Sequence, residues 1–128
     1  MNGLVKVLTN SSAALNIQLN RPKKGNNIQE LAETWVDLMP PDGRDLFKIS
    51  SIENDTAFVE IHLHCPLRGT GDVNACYHLM NYDRALMDKV GGQLVVLESQ
   101  SNSGKPYCRL AIREKNLPVN DLAAAHEI

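Results

Sequence analysis

The stretch that decides the fold is Thr56-Ala57-Phe58-Val59-Glu60-Ile61-His62-Leu63-His64-Cys65. Ala57, Val59, Ile61, Leu63 and Cys65 share one parity, while Thr56, Glu60, His62 and His64 share the other. This period-two alternation marks a strand with one face buried, and it turns Cys65 toward the core. The turn Pro66-Leu67-Arg68-Gly69-Thr70-Gly71 leads to Asp72, a residue suited to capping a helix. The spacing predicts a helix over 72–90, ended by Gly91-Gly92, with an inner stripe of Val73, Cys76, Met80, Asp83, Met87 and Val90. A strand over 93–99 completes a β-α-β unit in which the helix returns the chain, so that both strands run the same way.

Downstream, the polar stretch Gln100-Ser101-Asn102-Ser103-Gly104-Lys105 reads as a loop joining a C-terminal hairpin to a strand over 106–113. Cys108, Leu110 and Ile112 share one face of that strand, and Tyr107, Arg109 and Arg113 the other. Residues 114–128 read as a tail with a short helix at its end. Upstream, Leu46 to Ile52 is a strand, turning at Glu53-Asn54-Asp55. Asn27 followed by Glu30 has the spacing of an N-terminal cap, and Ile28, Leu31, Trp35 and Leu38 repeat at helical spacing until Pro40-Pro41-Asp42-Gly43. Arg21 to Asn26 is a loop, and the weak alternation of residues 3–20 around Thr9-Asn10-Ser11-Ser12 predicts two short strands in a hairpin. The expected fold is α+β: one domain over 1–128, built on a mostly antiparallel sheet.

Composition removes several functions. The chain of 128 residues carries 13 Lys+Arg against 15 Asp+Glu, and its only basic run is Arg21-Pro22-Lys23-Lys24, so a nucleic-acid partner is not expected. No apolar run approaches the ~20 residues of a membrane span, and Met1-Asn2-Gly3-Leu4-Val5-Lys6 lacks the pattern of a secretory signal. The expected setting is the cytoplasm. Three cysteines are an odd number for a disulfide framework, which leaves metal ligation, catalysis or plain burial.

Chain direction in the β-α-β unit gathers Cys65, Cys76, Glu98 and Cys108 at one end of the core. Glu98 has the parity of Leu94 and Val96, and an ionised carboxylate facing the core is costly unless paired or ligated. Three thiolates and a carboxylate suit a tetrahedral, closed zinc site, although three core cysteines can also be simple hydrophobic filling. Cys76, in the first helical turn, meets the positive end of the helix dipole, which favours thiolate. His62 and His64 sit on the outward parity, as alternate residues that either chelate a metal or form a solvated face. Arg68, in the glycine turn before a helix, and the buried Asp83 are candidate ligand contacts.

The order of Cys76 in a helix, Gly91-Gly92, a strand ending in Glu98, then Gly104 and Tyr107-Cys108-Arg109-Leu110 resembles the C-terminal half of the vinyl-reductase-type small-molecule-binding domain. That domain also serves as the aromatic-sensing module of some bacterial activators. His64-Cys65-Pro66 is similar to the start of relatives known as methanogen output domains and thiazoline-carboxylate hydrolase-like proteins. The resemblance covers roughly residues 57 to 113. In the sensor members a zinc is held by Cys, Glu, Cys and Cys; Cys76, Glu98 and Cys108 match the first, second and fourth, and the third falls near Ser101. Cys65 is the available replacement. The resemblance implies an α+β domain with zinc beside a small apolar pocket, frequently dimeric.

The reading that follows is a cytoplasmic small-molecule-binding or sensory domain with a Cys-rich zinc site, taking a small apolar or aromatic molecule. No output domain is expected on the chain, so a signal passes through a homo-oligomer or a partner protein, by way of an exposed apolar patch. The rival readings are a metal-assisted hydrolase, a thiol-redox protein using Cys76, and an iron-sulfur carrier.

Overall fold

A computed structural model describes residues 2–20, 27–39 and 41–125. In chain order these are α1 (Asn2–Asn20), α2 (Ile28–Asp37), a 3-10 turn (Pro41–Leu46), β1 (Phe47–Glu53), β2 (Thr56–Ile61), α3 (Val73–Leu79), α4 (Asn81–Lys89), β3 (Gly92–Glu98), α5 (Gln100–Ser103) and β4 (Cys108–Glu114). The fold is α+β, with one four-stranded antiparallel sheet in the order β1-β2-β4-β3. The loop expected at Arg21 to Asn26, and Pro40, lie outside the described residues.

β2 and β3 are each antiparallel to β4, so they run in the same direction, as the β-α-β reading requires. They are not neighbours, because β4 enters between them. Ala57, Val59 and Ile61 of β2, Leu110 and Ile112 of β4 and Leu94 and Val96 of β3 form one buried face. α2 and α4 pack on that sheet, and α1 lies against α4. α2 holds its place through Leu31, Ala32 and Trp35, all fully buried, and its first turn is closed by Asn27, whose side chain accepts from the Glu30 amide at 2.9 Å. Trp35 meets Phe47 of β1 edge to face, with ring centroids 5.5 Å apart.

The expected hairpin over residues 3–20 is instead the 19-residue helix α1. Its inward face carries small and polar residues: Ala13 is fully buried, Asn16 donates to the Tyr82 hydroxyl at 2.7 Å and to the Leu38 carbonyl, and Thr9 accepts from Asn81. Leu4, Val7, Leu8 and Leu15 face outward and are more than half exposed. Ile17 packs on the core one turn after Ala13, but Leu4, Val7, Leu8 and Leu15 mark the outer face, and the rest of the buried one is written in residues that a hydrophobicity pattern passes over.

Other boundaries also move. β2 ends at Ile61, and Leu63, expected inside, is half exposed. The helix expected over 72–90 is two, joined at Met80, and begins as read, with Asp72 accepting from the Ala75 amide at 3.0 Å. The 100–105 loop contains α5, closed by Gly104 in the left-handed region at φ 69°. The tail is docked: Gln93 donates to the Glu114 and Leu117 carbonyls, Arg113 pairs with Asp121, and Ala124 and Ala125 are buried. The end of the chain, where a short helix was expected, lies outside the described residues.

Candidate functional site

Where β2 and β3 finish and β4 begins, the strands stop short of the helices and leave a cavity of about 520 Å³. Phe47 and Ile61, partners across β1 and β2, form its floor. The connection after β2 contributes Leu63, His64, Cys65 and Pro66; α3 and the helix joint contribute Cys76, Leu79 and Met80; α4 contributes Tyr82 and Asp83. Gln100 and Cys108 close the far wall, and Leu8, Thr9 and Ser12 of α1 cover the top. Leu8, Leu63 and Leu79 are each at least half exposed, so the mouth is apolar and open to solvent.

The convergence read from the sequence is met for three of its four residues: Cys65, Cys76 and Cys108 share this cavity. Glu98 does not join them. A bulge between Val96 and Glu98 inserts Leu97 into β3, and the register resumes with Glu98 opposite Arg109 on the outer face. One extra residue reverses the side-chain parity after it, so the inference from Leu94 and Val96 to Glu98 fails at that step. Glu98 pairs with Lys105 at 2.9 Å, and Ser99 takes the inward position, fully buried beside Cys76. Among the described residues no group of three or more His, Cys, Asp or Glu side chains is placed to hold a metal ion.

Burial decides the thiols. Cys76 has its pKa raised, with desolvation the largest cause and the Ser99 hydroxyl opposing it. Cys108 is raised as well, again by burial first, against hydrogen bonding from Gln100. Cys65 adds to the rise at Cys76, and Cys76 and Cys65 add to the rise at Cys108, which places the three sulfurs within electrostatic reach of one another. The expected activation of Cys76 by the helix dipole is therefore outweighed: α3 is only 7 residues long, and loss of water costs the thiolate more than the helix end returns.

Asp83 is buried, as its place on the inner stripe implied, and is 7% exposed. Burial pushes its pKa up to about 6, against the pull of the Trp35 indole N–H and of Arg84. Trp35 Nε1 is buried with no partner in full hydrogen-bond geometry, so its N–H offers Asp83 attraction without a completed bond. The Arg84 guanidinium is committed elsewhere, to the Tyr77 carbonyl and to the face of the Tyr77 ring, 4.0 Å from its centroid.

Arg68 turns inward to brace the site: its Nε donates to Gln100 Oε1 at 2.7 Å. The amides of Gly69 and Gly71 donate to the carbonyls of Gln100 and Ser101, so the turn has no free cradle for an anion. Gln100 is the residue that sequence reasoning missed. It is fully buried, accepts from the Cys65 amide at 3.2 Å and from Arg68, and donates to the Leu63 carbonyl at 2.8 Å. These bonds tie the chain beyond β2 to α5 where strand pairing has stopped. A run of Ser, Asn and Gly around it disguises it as loop. Of the two expected outward histidines, His62 stacks on Tyr107 and bonds Glu60 at 2.8 Å, while His64 reaches the cavity wall.

A larger concavity, about 830 Å³, follows the free edge of β3 between α3–α4 and the C-terminal segment. It holds no buried acid and shares only Cys76 with the smaller one, whose walls carry the convergent polar groups expected of a ligand site. Among the described residues no helix is long and apolar enough to cross a membrane. No protein-family model, no curated protein and no solved structure matches this chain.

Proposed function

We propose that the chain is a small-molecule-binding or sensory domain whose ligand, an apolar or aromatic molecule, occupies the cavity at the end of the sheet. The observation that carries this reading is the cavity itself: about 520 Å³, mostly apolar walls, an open mouth, and a few polar groups at fixed places, Asp83, Gln100 and three thiols. That combination is the usual form of a ligand pocket, in which apolar area supplies affinity and a small number of polar atoms supply orientation. The buried thiols of Cys76 and Cys108, held neutral by loss of water, act as soft wall groups. The outward apolar stripe of α1 adjoins the mouth and supports self-association as the way occupancy is passed on.

The test is chemical-shift mapping with neutral aromatic probes such as indole and naphthol. Shifts clustered at Leu63, Met80 and Cys108, and lost in Met80→Trp, which fills the space, support the reading. Shifts confined to Val95 and Val119 on the β3 edge, or none, overturn it. Metal analysis of the same protein beside Cys76→Ser separates the metal-centred alternative: about one zinc per chain, lost in the variant, replaces a molecular ligand with an ion as the reason for the cysteines.

A further inference from the structure

We propose that the cavity takes an amphipathic amine: an apolar or aromatic body in the Leu63–Leu79–Met80 space with a protonated nitrogen on the Asp83 carboxylate. This rests on the cavity being a ligand site and adds the class of ligand.

Asp83 lines the cavity, is more than nine-tenths buried, and forms no ion pair and no completed hydrogen bond among the described residues. An ionised carboxylate in that condition is expensive, and native structures supply it with a donor or a cation. The candidates among the described residues are used up. Arg84 follows Asp83 on α4, and consecutive helical residues face different ways; its guanidinium lies on Tyr77, lining the concavities at the β3 edge rather than this one. Trp35 stands on the other side, offering an N–H that steadies the carboxylate from within the core. No Lys or Arg is among the described residues lining the cavity, and the one basic side chain among them, His64, is on an exposed stretch of the rim. The cavity thus has a fixed negative end and an apolar remainder, the complement of an ammonium group on a hydrocarbon or aromatic frame. A carboxylate ligand meets repulsion there, and a neutral ligand leaves the charge uncompensated.

The test compares three probes with one ring system on the whole chain at about pH 7.5, where aliphatic amines are protonated: tryptamine, its neutral alcohol tryptophol, and indoleacetate. Calorimetric titration is expected to give tryptamine an affinity about tenfold or more above tryptophol, with indoleacetate weakest. Asp83→Asn is expected to abolish the preference for the amine, so that tryptamine binds the variant no better than tryptophol does. The comparison on the unaltered protein stands without the variant. If tryptophol binds in the cavity and tryptamine binds no better, the amine is refuted and the pocket survives. If none of the three binds there, the pocket reading fails and the amine with it.

Discussion

Replacing Asp83 with Asn keeps the shape of the side chain and removes a charge that has no ion-pair partner among the described residues. The carboxyl moves from 3.8 in a solvated chain to about 6 in the native protein. At ~1.36 kcal/mol for each pKa unit, ionised Asp83 destabilises the native state by about 3 kcal/mol, a ceiling because water and local rearrangement soften any buried charge. The sign follows from proton binding. Between these two pKa values the native state binds more protons than the unfolded one, so stability falls as pH rises from about 4 to about 6 and is level above that. Asn, neutral throughout, does not suffer this loss, and its carbonyl still faces the Trp35 N–H. Unfolding entropy of ~2.1 cal/mol/K per residue converts the ceiling to roughly 10 °C in Tm for a chain of this length. Thermal unfolding of both proteins across this range is therefore expected to show Asp83→Asn more stable at pH 8 by several degrees, with the gain vanishing toward pH 4. Lower stability of the variant at pH 8, or a gain independent of pH, refutes the claim that the carboxylate is buried and uncompensated.

Gln100→Ala is expected to cost about 2–4 kcal/mol in urea unfolding, since it strands the Leu63 carbonyl, the Cys65 amide and the Arg68 guanidinium around a new void; a loss under 1 kcal/mol contradicts the bracing role. The thiols are expected to react in order of exposure. Cys65, partly exposed, is modified first by a soluble disulfide reagent, and Cys76 and Cys108, buried and with raised pKa values, follow at least tenfold more slowly. Faster modification of Cys76, followed by mass spectrometry, restores the thiol-redox reading.

How legible the fold was depends on which residues carry each element's pattern. α2 and β2 announce themselves because their buried positions are apolar at regular spacing, and a cap or turn residue stands at the boundary, as Asn27 does before α2 and Asn54 before β2. α1 is illegible for the opposite reason. What it packs inward is Ala13, Ile17 and the hydrogen-bonded Asn16 amide, too mixed a set to read as a stripe, and what it shows to solvent is leucine. The order β2-β4-β3 is likewise hidden, since alternation fixes which face a residue takes and is silent on which strand lies beside it.

The site shows the same division more sharply. Chain direction brings Cys65, Cys76 and Cys108 to one cavity, because direction survives the insertion of β4 between the strands that the helices connect. Parity does not survive the bulge at Leu97, and with it goes the carboxylate that made three cysteines resemble a four-donor set. The bulge turns Glu98 out to Lys105 and turns Ser99 in. A hydroxyl therefore stands beside Cys76 where a charge was expected, and the charge inside the cavity belongs to Asp83 of α4. Ser99 needs only a hydrogen bond, which Ser101 provides at 2.6 Å, whereas Asp83 needs a counter-charge that the described residues do not supply. Among the described residues, the group at the site left without a counter-charge is thus a carboxylate on a helix, and it is through that group that we propose the cavity selects its ligand.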